Sequence, residues 1–188
     1  MTAVSPKLAV LCAICLLQLI VPASMIGKRE AALRAGTAYK FKTAPVDPHD
    51  PFRGRYVALN FDERTGQLAD GHIEQGKKIY VKVYEGDDGF AKLGRVSVAH
   101  PEEGDYIKVR AQYAATGPAD ISVELPFNRY YMNEKKAPEA ERAYFANSRG
   151  TNRNTFAIVK VLDGMAVTEG LYIDGIHVRD YLDAKDGK

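Results

Sequence analysis

The sequence of 188 residues contains no tryptophan and only two cysteines. Cys12 and Cys15 both lie in an apolar run near the amino terminus, so the rest of the chain cannot form a disulfide framework. Their C-x-x-C spacing indicates a redox motif only beside a βαβ pattern, which this sequence does not show. We therefore interpret both cysteines as packing or lipid-facing residues.

The sequence also lacks a large excess of either positive or negative charge. The formal net charge is +2 at pH 7, and acidic and basic residues are mixed along the chain. This balance argues against an electrostatic nucleic-acid surface, and we predict no nucleic-acid partner. The eleven tyrosines and seven phenylalanines instead favour strands with a half-buried aromatic surface.

Signatures of nucleophilic catalysis are missing after the apolar run. The serines there are Ser97, Ser122 and Ser148, and none lies in a G-x-S-x-G or S-x-x-K motif. The pair Ser24-Met25 is similar to the start of a signal-peptidase motif, but no proline follows Met25 to shape an active-site turn. We predict a protein that is not an enzyme and has no catalytic residues.

Metal-ligand spacing is equally weak. Asp47, His49 and Asp50 could in principle hold a cation, but the prolines between them favour a role in capping turns. The other histidines lie in separate segments, without H-x-H or H-E-x-x-H spacing: His72, His100 and His177. We predict neither a metal site nor a cofactor.

The chain has a single long apolar run, from Leu8 to Ile26, and it contains no charged residue. At ~1.5 Å per residue it would extend roughly 28 Å as a helix, close to the ~30 Å hydrocarbon core of a bilayer. This predicts one transmembrane helix, continuing to Ala35 and ended by Gly36. The alternative is a cleaved secretory signal peptide with its cleavage site before Ser24. We favour the uncleaved anchor because Met25 and Ile26 prolong the run.

The side of the membrane follows less directly from the sequence. Counted literally, the cations after the run outnumber Lys7 and the amino terminus, which would place the main domain in the cytoplasm. Long domains, however, often translocate regardless of flanking charge, and the amino-terminal segment is of signal type. We therefore predict an exported domain.

Period-two alternation recurs after the run and predicts about nine short strands. The only helix predicted there follows Asn133, with Pro138 in its first turns. We expect an anchor and juxtamembrane helix over residues 1–35, followed by one mainly β domain over residues 36–188. Its predicted fold is a sandwich or barrel-like antiparallel sheet with one short helix. The predicted strands are Thr37 to Thr43, Arg55 to Phe61, Lys78 to Tyr84, Phe90 to Val98, Asp105 to Tyr113, Ile121 to Leu125, Thr155 to Leu162, Met165 to Ile173 and Ile176 to Val178.

The densest local pattern is P-V-D-P-H-D-P-F-R-G-R-Y-V-A-L-N-F at residues 45–61. It predicts a rigid loop that feeds a strand, because three prolines restrict φ and two aspartates can bond nearby backbone amides. Val57, Leu59 and Phe61 would share one face of that strand. We predict that the segment forms a structural clasp and a partner-docking surface, through Asp47, Asp50, Arg53, Gly54, Arg55, Tyr56, Leu59 and Phe61.

These residues resemble the bacterial membrane-anchored GDYXXLXY family, named for its G-D-Y-x-x-L-x-Y motif. The resemblance extends to the preceding P-V-D-P-x-D-x-x-R-G segment and to a closing L-Y-I-D-G at residues 171–175. Arg55 stands where the family has Asp, and Phe61 where it has the final Tyr. The resemblance implies an envelope protein with one anchor, associated with polytopic membrane proteins and without known catalysis.

We therefore expect a non-enzymatic envelope module in the inner (cytoplasmic) membrane. It would have a single pass and a periplasmic domain, and it would assist or bind an integral membrane protein. One alternative is a membrane-anchored hydrolase with a signal-peptidase-like β domain, which a serine hydrogen-bonded to a lysine or histidine would favour. The other is a small-ligand binding domain, which a deep apolar pocket of ~300 Å³ or more would favour.

Overall fold

Residues 6–45, 56–149 and 154–186 are described by a computed structural model, and they form a mainly β structure with three helices. The helices are α1 (Pro6–Ala35), α2 (Ala137–Asn147) and α3 (Val178–Asp186). The strands are β1 (Thr37–Ala44), β2 (Tyr56–Ala58), β3 (Asn60–Phe61), β4 (Thr65–Leu68), β5 (His72–Ile73), β6 (Lys78–Glu85), β7 (Ala91–Ser97), β8 (Tyr106–Ala111), β9 (Ala115–Thr116), β10 (Ala119–Glu124), β11 (Arg129–Tyr131), β12 (Thr155–Leu162), β13 (Met165–Ile173) and β14 (Ile176–His177).

Five strands close into a barrel, in the order β10-β4-β7-β6-β8. The predicted hairpin of β6 and β7 is confirmed, with Ile79, Val81 and Val83 buried on one face of β6. The prediction of a purely antiparallel sheet is wrong at one place, because β4 pairs with β7 in parallel. Strands β5 and β6 lie between β4 and β7 in the chain, and this connection allows β4 and β7 to run in the same direction.

A second sheet contains five strands in the order β14-β13-β12-β1-β3. Its central hairpin, β12 and β13, is joined by Asp163 and Gly164, whose φ angles of 48° and 79° are those of a type I′ turn. Asp174 and Gly175 form a similar turn before β14, with φ angles of 51° and 77°. Both turns were predicted from the Asp-Gly pairs, since these residues tolerate positive φ.

The predicted strand of the motif is split at Leu59, whose backbone N–H donates to the Asn128 carbonyl at 2.9 Å. β2 therefore pairs with β11, whereas β3 pairs with β1. The predicted face is nevertheless correct, because Val57, Leu59 and Phe61 are all buried. Among these three, Phe61 packs in an aromatic cluster, where its ring lies 5.8 Å from that of Phe41 and 5.1 Å from that of Phe127.

Helix α1 ends at Ala35, and the backbone N–H of Gly36 donates to the Ala32 carbonyl at 2.9 Å. Within the part of the chain that the structure describes, no helix combines the length and apolar character needed to cross a membrane. The predicted transmembrane helix over Leu8 to Ile26 is therefore not supported. The helix continues beyond that run into charged residues, beginning with Lys28 and Arg29.

Helix α2 was predicted, but its start differs from the prediction. Its N-cap is Lys136, which makes no side-chain capping bond. Asn133 instead shapes the preceding turn, where its carbonyl accepts the N–H groups of Lys136 at 3.0 Å and Ala137 at 2.9 Å. The Asn133 side-chain oxygen accepts from the Lys135 N–H, at 3.0 Å.

Helix α3 was not predicted, so the expectation of one short helix in the β domain is corrected to two. Val178, assigned to a strand from the sequence, is the first residue of this helix. Val178 and Leu182, four residues apart on one face, are both fully buried. A nine-residue helix with one such pair has too short an apolar pattern to be recognised from sequence alone.

Candidate functional site

Most of the predicted docking surface lies outside the described residues: Asp47, Asp50, Arg53, Gly54 and Arg55. Of the remaining three, Leu59 and Phe61 are buried in the core, where their side chains pack against other apolar residues. Tyr56 is half-buried at the start of β2. Among the predicted docking residues that the structure describes, Tyr56 is therefore the one that reaches the surface.

Tyr56 connects the motif to strand β11. It is the register partner of Tyr131, and the two rings lie 5.7 Å apart. The guanidinium of Arg129 lies over the Tyr56 ring, 5.1 Å from its centroid, in a cation–π contact. A hydrogen bond with the Tyr131 side chain raises the pKa of Arg129 further, so this group stays cationic at any physiological pH.

Arg129 and Tyr131 line one wall of a cleft of about 560 Å³. Residues of the barrel strands β6, β8 and β10 and of strand β13 also line it. Thr168 on β13 donates its hydroxyl to the Phe127 carbonyl at 3.3 Å and so holds the loop before β11 against the sheet. Helix α1 contributes Arg29 to the lining. We call this space the cationic cleft.

The charges around the cationic cleft are strongly unequal. One carboxylate, Glu124, lies among five cations: Arg29, Lys78, Lys108, Arg110 and Arg129. Within the described part of the chain, none of these five cations forms an ion pair. Arginine and lysine side chains are the protein groups that bind carboxylates and phosphates most directly, so the cleft is suited to an anion.

The barrel wall of the cleft also contains an unfavourable pair. Lys78 on β6 lies directly opposite Arg110 on β8, and Arg110 lies opposite Glu124 on β10. Like charges that face each other across two strands are destabilising. An anion bound beside Lys78 and Arg110 would relieve that repulsion, which gives the cleft a physical reason to bind one.

A second, more apolar space adjoins the cationic cleft along helix α1. It has a volume of about 830 Å³ and lies between α1 and the turn of the β12–β13 hairpin. We call it the apolar groove. The large apolar side chains that line it and not the cleft are Met25, Ile26, Leu162 and Met165, and two charged residues, Lys28 and Asp163, line it as well. Five residues line both spaces: Arg29, Lys108, Pro126, Ala166 and Val167. The two spaces are therefore immediate neighbours.

The serines considered as nucleophiles make other contacts. Ser97 donates its hydroxyl to the Ala99 carbonyl at 2.7 Å, and Ser122 donates to the Gln112 side-chain oxygen at 2.7 Å. Ser148 is buried and donates to the Phe145 carbonyl at 3.4 Å. None of these bonds joins a serine to a lysine or histidine, so they do not supply the nucleophile–base pair that the hydrolase alternative needs.

The described histidines are each bonded to a hydroxyl. His72 contacts Thr116 at 2.7 Å, His100 contacts Tyr106 at 2.6 Å, and His177 contacts Tyr130 at 3.3 Å. In the ranges that the structure covers, no three histidine, cysteine or acidic side chains come together as metal ligands would. His49, with its neighbours Asp47 and Asp50, lies outside those ranges.

Sequence reasoning did not identify the cationic cleft. Its five cations come from α1, from the barrel strands β6 and β8, and from β11, spread over 100 residues of chain. The one local signal is the run Lys78 to Tyr84 and its counterpart Asp105 to Tyr113, in which cations occupy the polar face of alternating strands. That pattern is typical of any solvated strand, so it does not predict a site by itself.

Comparison with known proteins gives one match. A family model described as GDYXXLXY protein matches residues 18–171. No curated protein and no solved structure matches the chain.

Proposed function

The chain belongs to the GDYXXLXY protein family, and on that premise we propose that it is a non-enzymatic binding module of the bacterial envelope. Helix α1 attaches it to the inner membrane, with the β domain on the extracytoplasmic side. There it binds an integral membrane protein.

The observation that supports this proposal is the exposure of apolar side chains along α1. Nine of them are between 49% and 69% exposed: Leu11, Ile14, Leu16, Leu17, Leu19, Ile20, Val21, Met25 and Ile26. Covering one such side chain is worth ~1.5–3 kcal/mol, so covering the set would release on the order of 10 kcal/mol. A helix with this much exposed apolar surface requires a lipid or protein environment.

The connection of α1 to the β domain is short and packed. Ala32 is fully buried, and the last turns of α1 contact β12 and β13. Gly36 allows β1 to begin at once, since a Cβ there would lie 2.4 Å from the Ala32 carbonyl oxygen and 2.9 Å from that of Val161. A membrane-attached α1 would therefore hold the β domain in one orientation, with the cationic cleft beside the helix.

A second candidate function is a small-ligand binding domain. The cationic cleft and the apolar groove, at about 560 and 830 Å³, both exceed the ~300 Å³ at which ligand pockets begin. The two candidates are compatible, because a membrane-attached module can bind a ligand in the cleft.

Fractionation of cells that express the full chain tests the attachment. We expect the protein to remain with membranes after a carbonate wash, and a Leu17→Glu, Ile20→Glu variant to move to the soluble fraction. The matched control is Val98→Glu with Ile176→Glu, two exposed apolar residues of the β domain, which should leave the distribution unchanged. A wild-type protein that washes off, or an amino terminus beginning at Ser24, would contradict the proposal.

Crosslinking tests the partner. A photoreactive residue at Leu16 or Leu19 should give a discrete adduct with an integral membrane protein, whereas one at Lys185 on α3 should not. If both α1 positions form adducts with lipid alone, the proposal that the protein binds an integral membrane protein is refuted.

A further inference from the structure

We infer that the cationic cleft and the apolar groove form one site for an anionic glycerophospholipid, with the phosphate in the cleft and an acyl chain in the groove. This inference rests on the proposed attachment of α1 to a membrane, and it names the ligand of the site beside that helix.

The headgroup end of the site is determined by charge. Lys108 and Arg110 lie two residues apart on β8 and therefore project from the same outer face of the barrel. Arg129 approaches from β11 and Arg29 from α1, so cations surround the cleft from different elements. Guanidinium groups bind phosphate oxygens in pairs, and an ammonium group adds a compact positive charge. A single phosphate would contact several of these cations at once.

The acyl end of the site is determined by apolar lining. Met165 and Leu162 come from the β12–β13 hairpin, and Met25 and Ile26 come from α1. Met25 and Ile26 are also the last residues of the exposed apolar stretch of that helix. An acyl chain that extends out of the groove would thus continue along the apolar surface of α1. The remaining hydrocarbon of the lipid would lie on that surface.

The combination distinguishes a lipid from other anions. A free phosphate or an acidic protein segment would use the cationic cleft but would have no use for the apolar groove. Lys108 and Arg29 line both spaces, so the charged and apolar parts of the ligand must meet at these side chains. An anionic amphiphile has this arrangement of phosphate and chain in a single molecule.

The test uses the full-length protein in a non-ionic detergent and isothermal titration calorimetry. The probes are dioctanoyl-phosphatidylglycerol, dioctanoyl-phosphatidylcholine, inorganic phosphate and a glutamate-rich peptide. We expect phosphatidylglycerol to bind about tenfold or more tightly than each of the other three, because only it supplies both net negative charge and a chain.

Three variants separate the two ends of the site. Lys108→Gln with Arg110→Gln should weaken phosphatidylglycerol about tenfold or more. Met165→Gln should weaken phosphatidylglycerol several-fold, by roughly the loss of one chain contact, and leave inorganic phosphate unchanged. The charge-matched control is Lys82→Gln with Arg142→Gln, two exposed cations outside the cleft, which should bind as wild type does. Thermal melts of each variant establish that it is folded.

Several results would overturn the inference. If phosphatidylcholine binds as tightly as phosphatidylglycerol, net negative charge has no role in binding. If inorganic phosphate binds as tightly as phosphatidylglycerol and Met165→Gln has no effect, the site binds anions but not lipids. Tighter binding of the glutamate-rich peptide would assign the cleft to a protein. Failure of the proposed function has a separate readout, because it would appear as loss of the protein from washed membranes while lipid binding in detergent is measured independently.

Discussion

At the scale of single residues, Phe61 shows why an aromatic ring at the end of the motif belongs to the core. Its side chain is 2% exposed and meets the rings of Phe41 and Phe127 edge-on. The family has a tyrosine here, by the resemblance noted above, whereas this chain has a ring without a hydroxyl. An unpaired hydroxyl in that cluster would cost ~1–3 kcal/mol, so phenylalanine suits these surroundings.

A second residue-scale feature is the bond between Tyr39 and Asp105. The Tyr39 hydroxyl donates to an Asp105 carboxylate oxygen at 2.8 Å. Burial, followed by this hydrogen bond and the negative charge of Asp105, raises the pKa of Tyr39 to about 12. The bond joins β1 of the five-stranded sheet to the segment just before β8 of the barrel, and it requires a protonated tyrosine.

The bond predicts a specific loss of stability in alkali. Because the folded pKa is raised above the unfolded value near 10, stability is fully present below pH 10 and is lost as pH rises towards 12. Urea unfolding at pH 8, 10 and 11.5 should show this loss. Tyr39→Phe should be less stable than wild type by about 1 kcal/mol at pH 8, and this difference should shrink as the pH rises. A pH dependence identical in both proteins would contradict the assignment.

At the scale of elements, the junction of α1 with β1 depends on close backbone contact. Gly36 lies where any Cβ would meet two backbone carbonyl oxygens, one on α1 and one on β12. Backbone atoms cannot move aside as a flexible side chain can. The glycine therefore serves as more than a helix terminator, because it lets the end of α1 pack directly on the sheet.

Substitution of this glycine tests the junction. Gly36→Ala should lower the free energy of unfolding by about 1–3 kcal/mol, the usual cost of overpacking, measured by urea unfolding with an unchanged m-value. Gly27→Ala, inside α1, is the control. No atom lies within 4 Å of the added Cβ, so stability should stay the same or rise by up to about 1 kcal/mol. Equal effects of the two substitutions would show that the junction is not tightly packed.

At the scale of the whole molecule, the barrel, the five-stranded sheet and α1 meet at the cationic cleft. The backbone N–H of Lys108 on β8 donates to the Gly164 carbonyl at 2.9 Å, which ties the barrel to the turn of the β12–β13 hairpin. Gly164 is confined there, since a Cβ would lie 2.6 Å from the Tyr106 ring. Lys108 lines both the cleft and the groove, and Gly164 lines the groove, so the shape of both spaces depends on how the two sheets are joined.

The orientation of the whole protein gives a further prediction. Alkaline phosphatase fused after Lys188 should be active, because we propose that the β domain is exported, and this enzyme folds only outside the cytoplasm. β-Galactosidase fused at the same position should be inactive. The reverse pattern would support the literal count of flanking positive charges and place the cleft in the cytoplasm.

Features that depend on residues close together in the chain could be predicted before the fold was known. The β6–β7 hairpin and the Asp163-Gly164 turn were predicted from period-two alternation and from residues that tolerate positive φ. The buried face of Val57, Leu59 and Phe61 followed from the same alternation. Residue type and spacing within a few positions decide such features, so a single chain is enough to recognise them.

Which of these elements contact one another became evident only in the folded molecule. The parallel contact of β4 with β7 and the cationic cleft each depend on segments distant in sequence. Arg29 and Arg129 are 100 positions apart, yet they line the same space. No local pattern encodes that proximity, because it results from closure of the barrel and packing of α1 against the second sheet. The cluster of cations in the cleft therefore forms only when the chain is folded.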